Sequence, residues 1–167
     1  MLKDICEKAT KLILEHFVFR SVAYFDHSGV ARIGFGHFGS DVQKKDVGRT
    51  VITEERAEQF LQSDISTVAF FIRNCVLVPL TDNQYAALVS LVFDIGYDRF
   101  RLSSLFLSLN QKEYRRSALQ FSKLTIIGPH CDDYFEILQR REAEKELFLT
   151  PDESQYFPSG VEPLVED

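Results

Sequence analysis

A carboxylate and a guanidinium set six positions apart are the first residues whose spacing suggests chemistry: Asp26 and Arg32 flank the turn signal Asp26-His27-Ser28-Gly29. Across a tight turn the two side chains can pair, which favours the ionised carboxylate. An Arg32 that faces outward and never meets Asp26 is the other reading. A few residues on, Gly34-Phe35-Gly36-His37 closes a strand-like run, with glycines that let the backbone bend or approach something closely. His37 reads as a structural histidine, a polar group satisfied within a packed lobe junction, and Asp64 on the next long helix is its candidate partner. Cys6, Cys75 and Cys131 are odd in number, far apart, and share no metal-ligand spacing with each other or with the four histidines. Neither a metal nor a cofactor is expected, and the thiols suit a reduced, cytoplasmic chain.

The elements that must position these residues are legible as periodicities. Ile5, Ala9, Leu12, Ile13 and His16 or Phe17 recur every three or four residues, which predicts an amphipathic helix within Leu2 to Phe19. From Ser21 to Phe38 aromatic and β-branched residues alternate with polar ones around turn signals, as in a small antiparallel sheet. Thr53 followed by Glu54 and Glu55 predicts a capped start for a long helix whose apolar stripe runs from Ala57 to Cys75. Thr81 and Gln84 have capping-box spacing, and Tyr85 to Ile95 is apolar nearly all round, as a core helix must be. Helices are further predicted from Ser103 or Ser104 to Leu109, from Asn110 to Leu124, and from Asp132 to Leu149. The whole is a mostly helical α+β chain.

Composition narrows the partners. The chain has 167 residues, 45% of them hydrophobic, enough for one core. It lacks any long uncharged apolar run, so no membrane span is expected. Glu15 and His16 interrupt the apolar stretch near the N-terminus, so no secretory signal is expected and release from a producing cell would need a separate route. The net charge of −6 is concentrated at the C-terminus: residues 150–167 carry five acidic groups and no basic one, leaving 20 acidic against 19 basic elsewhere. A nearly neutral body has no long-range attraction for nucleic acid, and none is expected as a partner. The acidic tail reads as an extended or flexible appendage, which sets the domain at 1–149 and the tail at 150–167.

Five ordered segments bring a resemblance into view: Ala23-Tyr24-Phe25-Asp26; Ile33-Gly34-Phe35-Gly36-His37; Ile52-Thr53-Glu54-Glu55-Arg56-Ala57-Glu58; Pro79-Leu80-Thr81-Asp82-Asn83-Gln84-Tyr85-Ala86-Ala87-Leu88-Val89-Ser90; and Arg140-Arg141-Glu142-Ala143-Glu144-Lys145-Glu146-Leu147-Phe148. Together they resemble the phage-type lysozymes and endolysins of glycoside hydrolase family 24. The resemblance implies a two-lobed molecule, with a small sheet and a helical lobe joined by a long helix and a saccharide cleft between them, in which Tyr24 and Phe35 are ligand contacts. It also implies three catalytic positions: a glutamic acid ending the first helix, an aspartic acid nine residues later, and a threonine six beyond that. Here those positions hold Phe17, Asp26 and Arg32.

Only the aspartate is retained. Glycoside hydrolysis needs a protonated acid at the leaving oxygen and, for inversion, a second carboxylate to activate water. Phenylalanine has no proton to give. Two carboxylates come up as substitutes. Glu15 lies two residues before Phe17, about 200° around the helix, and should miss the cleft. Asp94 replaces the asparagine of a family F-N-x-G motif; a buried aspartate there is a candidate acid, or else it caps the chain before Gly96. Glu136 is a further departure, where the family tends to have glycine before the paired arginines. The reading that follows is a catalytically degenerate lysozyme fold serving as a binding module for peptidoglycan, another glycan or a protein. Two alternatives stand beside it: an active muramidase with rearranged acids, and a cytosolic effector or inhibitor whose acidic tail engages a protein partner.

Overall fold

In the computed structural model, which describes residues 2–125 and 133–153, α1 (Leu2–His16) turns Ile5, Ala9 and Ile13 into the core. The helix ends one residue before Phe17, whose amide still donates to the Ile13 carbonyl at 2.9 Å. β1 (Arg20–Phe25) and β2 (Ala31–Gly34) then form an antiparallel pair that sets Tyr24 opposite Arg32. This sheet keeps a small core of its own, in which Ala23, Ala31, Ile33 and Val42 are covered by Ile52 and Phe60. The expected strand-like continuation through Phe35 to His37 is instead a tight turn. Gly34 and Gly36 both have positive φ, 67° and 93°, and Ile33 and His37 exchange backbone hydrogen bonds across it. A Cβ on Gly34 would meet the Ala57 Cβ at 2.8 Å, so the turn can lie on the long helix only because position 34 is bare.

α2 (Glu54–Cys75) begins where Thr53 Oγ1 accepts the Arg56 amide at 3.2 Å, and it spans from the sheet to the helical lobe. α3 (Asp82–Ile95) starts in a reciprocal capping box between Thr81 and Gln84. Every residue of α3 except Gln84 is buried, which explains why its sequence is apolar nearly all round. α1, α2 and α7 (Tyr134–Leu149) surround α3, and the short helices α4 (Tyr97–Arg101), α5 (Ser104–Asn110) and α6 (Tyr114–Ala118) close the lobe. No helix among the described residues is long and apolar enough to cross a membrane.

One predicted helix is different in the structure. Asn110 to Leu124 is broken into α6 and a 3-10 turn at Phe121–Lys123, because Lys112 adopts φ 62° and Asn110 ends α5. The Asn110 carboxamide does not cap a following helix; its Oδ1 accepts the Leu77 amide at 2.7 Å and ties α5 to the end of α2. The start of the expected tail is held as well. Asn83 Nδ2 donates to the Thr150 carbonyl at 3.3 Å and Lys8 Nζ reaches Asp152 Oδ2 at 2.7 Å. Residues 154–167 and Cys131 lie outside the described residues, as does the Asp132 start expected for the last helix.

α7 is docked on α3 by charge within the core. Arg141 and Glu144 are both fully buried, and Arg141 donates to Glu144 and to Asp94. Ser90 Oγ donates to the other oxygen of Glu144 at 2.8 Å. Removing one member of such a network leaves its partner charged and unsolvated. Glu144→Ala is therefore expected to cost about 3–5 kcal/mol, read as a lowered denaturant midpoint at unchanged slope; a loss near zero would show that Arg141 is compensated elsewhere.

Candidate functional site

The space between the lobes is governed by three residues brought together from distant parts of the chain. Phe17 follows α1, Arg32 sits on β2, and Asp94 lies near the end of α3. Arg32 faces inward: its Nε donates to Asp26 Oδ2 at 2.6 Å, one Nη to the Gly36 carbonyl at 2.9 Å and the other to the Asp94 carbonyl at 3.3 Å. Its guanidinium also lies 4.7 Å from the Phe38 ring centroid. The outward-facing alternative for Arg32 is thereby set aside.

Both oxygens of Asp26 are engaged. While Oδ2 takes Arg32, Oδ1 accepts the Ser28 amide at 2.9 Å, the Ser28 hydroxyl at 2.7 Å and the Val30 amide at 2.9 Å. Partial burial works against the charge, but Ser28, Arg32 and Val30 outweigh it and hold the carboxyl below its usual range. The group is an anion bound at both oxygens, in the geometry of a structural ion pair.

Phe17 lines the space between the lobes and packs against the core. Its ring meets Phe93 edge-on at 5.3 Å, and the Arg140 guanidinium stacks on it at 4.2 Å. A Cβ on Gly36 would come within 3.0 Å of this ring, so the second glycine of the turn is what lets the sheet lobe close onto it. Glu15 is exposed and lines a separate groove between α1 and α2 with Leu14 and Gln62. Asp94 neither caps the chain before Gly96 nor points an unengaged oxygen pair at the cleft. Its Oδ2 accepts from Arg140 at 2.8 Å and also from Arg141.

These contacts divide the interlobe space. On one side is a cavity of about 150 Å³ lined by Phe17, Tyr24, Asp26, Arg32, Asp94 and Arg140, with Asp133 and Glu136 also on its wall. On the other is a groove of about 590 Å³ along α2 and α3, lined by Phe38, Val92, Phe93 and Tyr97 among others. Sites that enclose small molecules run from about 300 to 1,000 Å³, so the larger groove is in range and the cavity beside Asp26 is not. Tyr24 does line that cavity, under a stacked Arg20 guanidinium at 4.3 Å. Phe35, expected as a ligand contact, is buried in the core against Phe19 at 5.6 Å and lines neither space. The turn that replaces the predicted strand is what rotates it inward. Sequence reasoning missed Arg140 as a cleft residue; the pair of arginines on the last helix was visible, but not which of the two would face the opening.

His37 and Asp64 meet between the sheet and α2. Nδ1 donates to Asp64 Oδ2 at 2.7 Å, Nε2 lies 3.2 Å from both oxygens of Asp41, and the ring stacks on Phe60 at 4.1 Å.

The two lobes, the small sheet, the joining helix and the cleft between them define a lysozyme-type fold. The phage lysozyme family matches residues 15–144, and the chain belongs to that family. An endolysin of Acyrthosiphon pisum secondary endosymbiont phage 1 is 37% identical over 147 residues, 86% of this chain and 97% of the relative. The endolysin of Salmonella phage P22 is 37% identical over 131 residues, 78% of this chain and 88% of that protein. Among solved structures, the muramidase domain of SpmX from Asticaccaulis excentricus superposes with a TM-score of 0.71 at 28% identity, over 86% of this chain and 95% of that one.

The histidine contacts give a signed pH dependence. Burial disfavours charge on His37, yet Asp64 and Asp41 outweigh it and raise the pKa above the ordinary value. The stabilisation is complete below the unfolded histidine value of about 6.5 and is lost as pH rises through the higher folded value. An NMR titration of His37 should therefore give a pKa above about 6.5. Asp64→Asn should lower the melting temperature more near pH 5.5 than near pH 8; a lowered His37 pKa, or a constant gap, would contradict this.

Proposed function

We propose that this chain is a phage-lysozyme domain that has given up hydrolysis and acts as a glycan-binding module, with peptidoglycan strands as its ligand class. One observation carries the reading: the retained aspartate is bonded at both oxygens, to Arg32 on one side, and the position of the family's acid is a phenylalanine stacked on Phe93. A missing general acid alone costs about 10² to 10⁴ in rate. With Asp26 also paired to a guanidinium, both halves of an acid and base pair are altered. Asp94 is already engaged, because its Oδ2 accepts from both Arg140 and Arg141.

Binding is a separate matter from cleavage, because uniform ground-state contacts need no acid. The groove of about 590 Å³, with Phe38 and Tyr97 on its walls, supplies aromatic surface of the kind on which sugar rings lie. Support for the ligand class comes from the relatives, which are named endolysins and a muramidase domain.

Purified protein should release no turbidity or reducing ends from peptidoglycan above background, while co-sedimenting with the insoluble polymer. Phe17→Glu combined with Arg32→Thr restores both residue types and should raise cleavage above the parent. Robust cleavage by the unmodified protein that vanishes in Asp94→Asn or Glu136→Gln would overturn the proposal and identify a relocated acid.

A further inference from the structure

The cavity beside Phe17 holds a cation that the proposed function leaves unused. Arg140 has a side chain only 8% exposed, and among the described residues its one hydrogen-bond acceptor is Asp94, through a single Nη. Its Nε is shut away from solvent with no acceptor among the described residues. The face of the guanidinium rests on Phe17, so the unpaired N–H groups lie at its edge, in a residue that lines the cavity. Buried guanidinium groups are ordinarily met by acceptors on most of their five N–H groups, because each one left unpaired is costly.

The charge around Arg140 is already allocated. Asp94 is shared with Arg141, Glu144 is held by Arg141 and Ser90, and Asp26 belongs to Arg32. Among the described residues no carboxylate bonds Arg140 alone. Its field is felt next door: burial lowers the pKa of His16, which also lines the cavity, and the charge of Arg140 lowers it further. Arg20 and the Asp26-paired Arg32 are the other arginines on the wall. Asp133 and Glu136 are also on the wall, but both are exposed to water, where their repulsion is screened. Glu136 stands one turn before Arg140 on α7, at a spacing that lets it compete for the guanidinium.

We propose that this cavity is a carboxylate-binding site, in which the Arg140 Nη edge takes the anion and the Phe17 ring packs against its short apolar stem. At about 150 Å³ the space is on the order of five liquid waters. That admits a monocarboxylate of a few carbons, either a free small acid or the acid-bearing arm of a larger glycan whose ring stays outside. The inference rests on reading the cleft as a binding site without hydrolysis, and the two can fail separately.

The test is an NMR titration of the whole protein with sodium acetate at pH 7 and constant ionic strength, chloride serving as the reference anion. The Gly36 amide and the Phe17 ring are the reporters. Saturable shifts with acetate and none with chloride are expected, weakened by about tenfold or more in Arg140→Gln. Glu136→Gln, which removes the rival, should tighten binding. Phe17→Glu supplies its own carboxylate to Arg140 and should abolish the acetate response, which keeps the test decisive if Arg140→Gln fails to fold. N-acetylmuramic acid, compared with N-acetylglucosamine, distinguishes the sources: selective binding of the former assigns the site to a glycan acid, and response to acetate alone assigns it to a free acid. Linear shifts that match chloride, or acetate binding undiminished in both Arg140→Gln and Phe17→Glu, would overturn the site while leaving the absence of hydrolysis untouched. Hydrolysis by the parent would do the reverse.

Discussion

Arg32 is the residue through which the two lobes are fastened. Its guanidinium reaches the turn after β1, the glycine turn after β2 and the last turn of α3, so one planar group with donors in fixed directions is bonded to three segments that are distant in sequence. Two of these acceptors are backbone carbonyls, which cannot titrate away or rotate to another partner. The third, Asp26, is held in turn by Ser28 and Val30. A lysine here could satisfy at most part of this set, and a threonine would reach none of the helical lobe. The division of the interlobe space into a small cavity and a larger groove follows directly from where this side chain lies.

How much of this was legible beforehand varied with the kind of signal. The capped starts of α2 and α3 were readable because Thr53 and the Thr81–Gln84 pair act on amides within three residues. The Asp26–Arg32 contact was one of two open readings, since a six-residue spacing across a turn permits contact without requiring it. What decides it includes the Asp94 carbonyl, sixty-two residues away in the chain. Phe35, a ligand contact on the resemblance, lies in the core because the two flanking glycines, both at positive φ, turn the chain there. Asn110 misled for a similar reason: a good capping residue was spent on the amide of Leu77, thirty-three residues away. The partition of Asp94 between two arginines lay out of reach, since it depends on the rotation of α7 over α3.

That rotation is tied to the buried charges. A core holding Arg141 and Glu144 with no exposure gains little net stability from the pair, because desolvation cancels much of the attraction. What the pair does is exclude other packings: any slide of α7 along α3 would strand a charge in apolar surroundings. With Arg141 fixed, Arg140 is fixed one position earlier on the helix, and it falls on the side facing Phe17. The orientation of the cleft cation is thus a consequence of core packing and needs no contact of its own to the sheet lobe.

The two departures from the family pattern are coupled through Gly36. Its missing Cβ is what admits the Phe17 ring, and its carbonyl is one of the three acceptors of Arg32. Closing the turn onto the ring brings the carbonyl toward Arg32, and bonding the carbonyl to Arg32 holds the turn on the ring. Each substitution therefore supports the geometry the other needs, and a change at position 17 or 32 alone meets a neighbourhood shaped by its partner. Residues that share a contact in this way do not act additively. An acid placed at position 17 with Arg32 still in place would face an aspartate already neutralised. A threonine at position 32 with Phe17 retained would free Asp26 beside a ring that holds no proton. The geometry at positions 17 and 32 is thus a property of the pair, which a change at one of them alone does not reset.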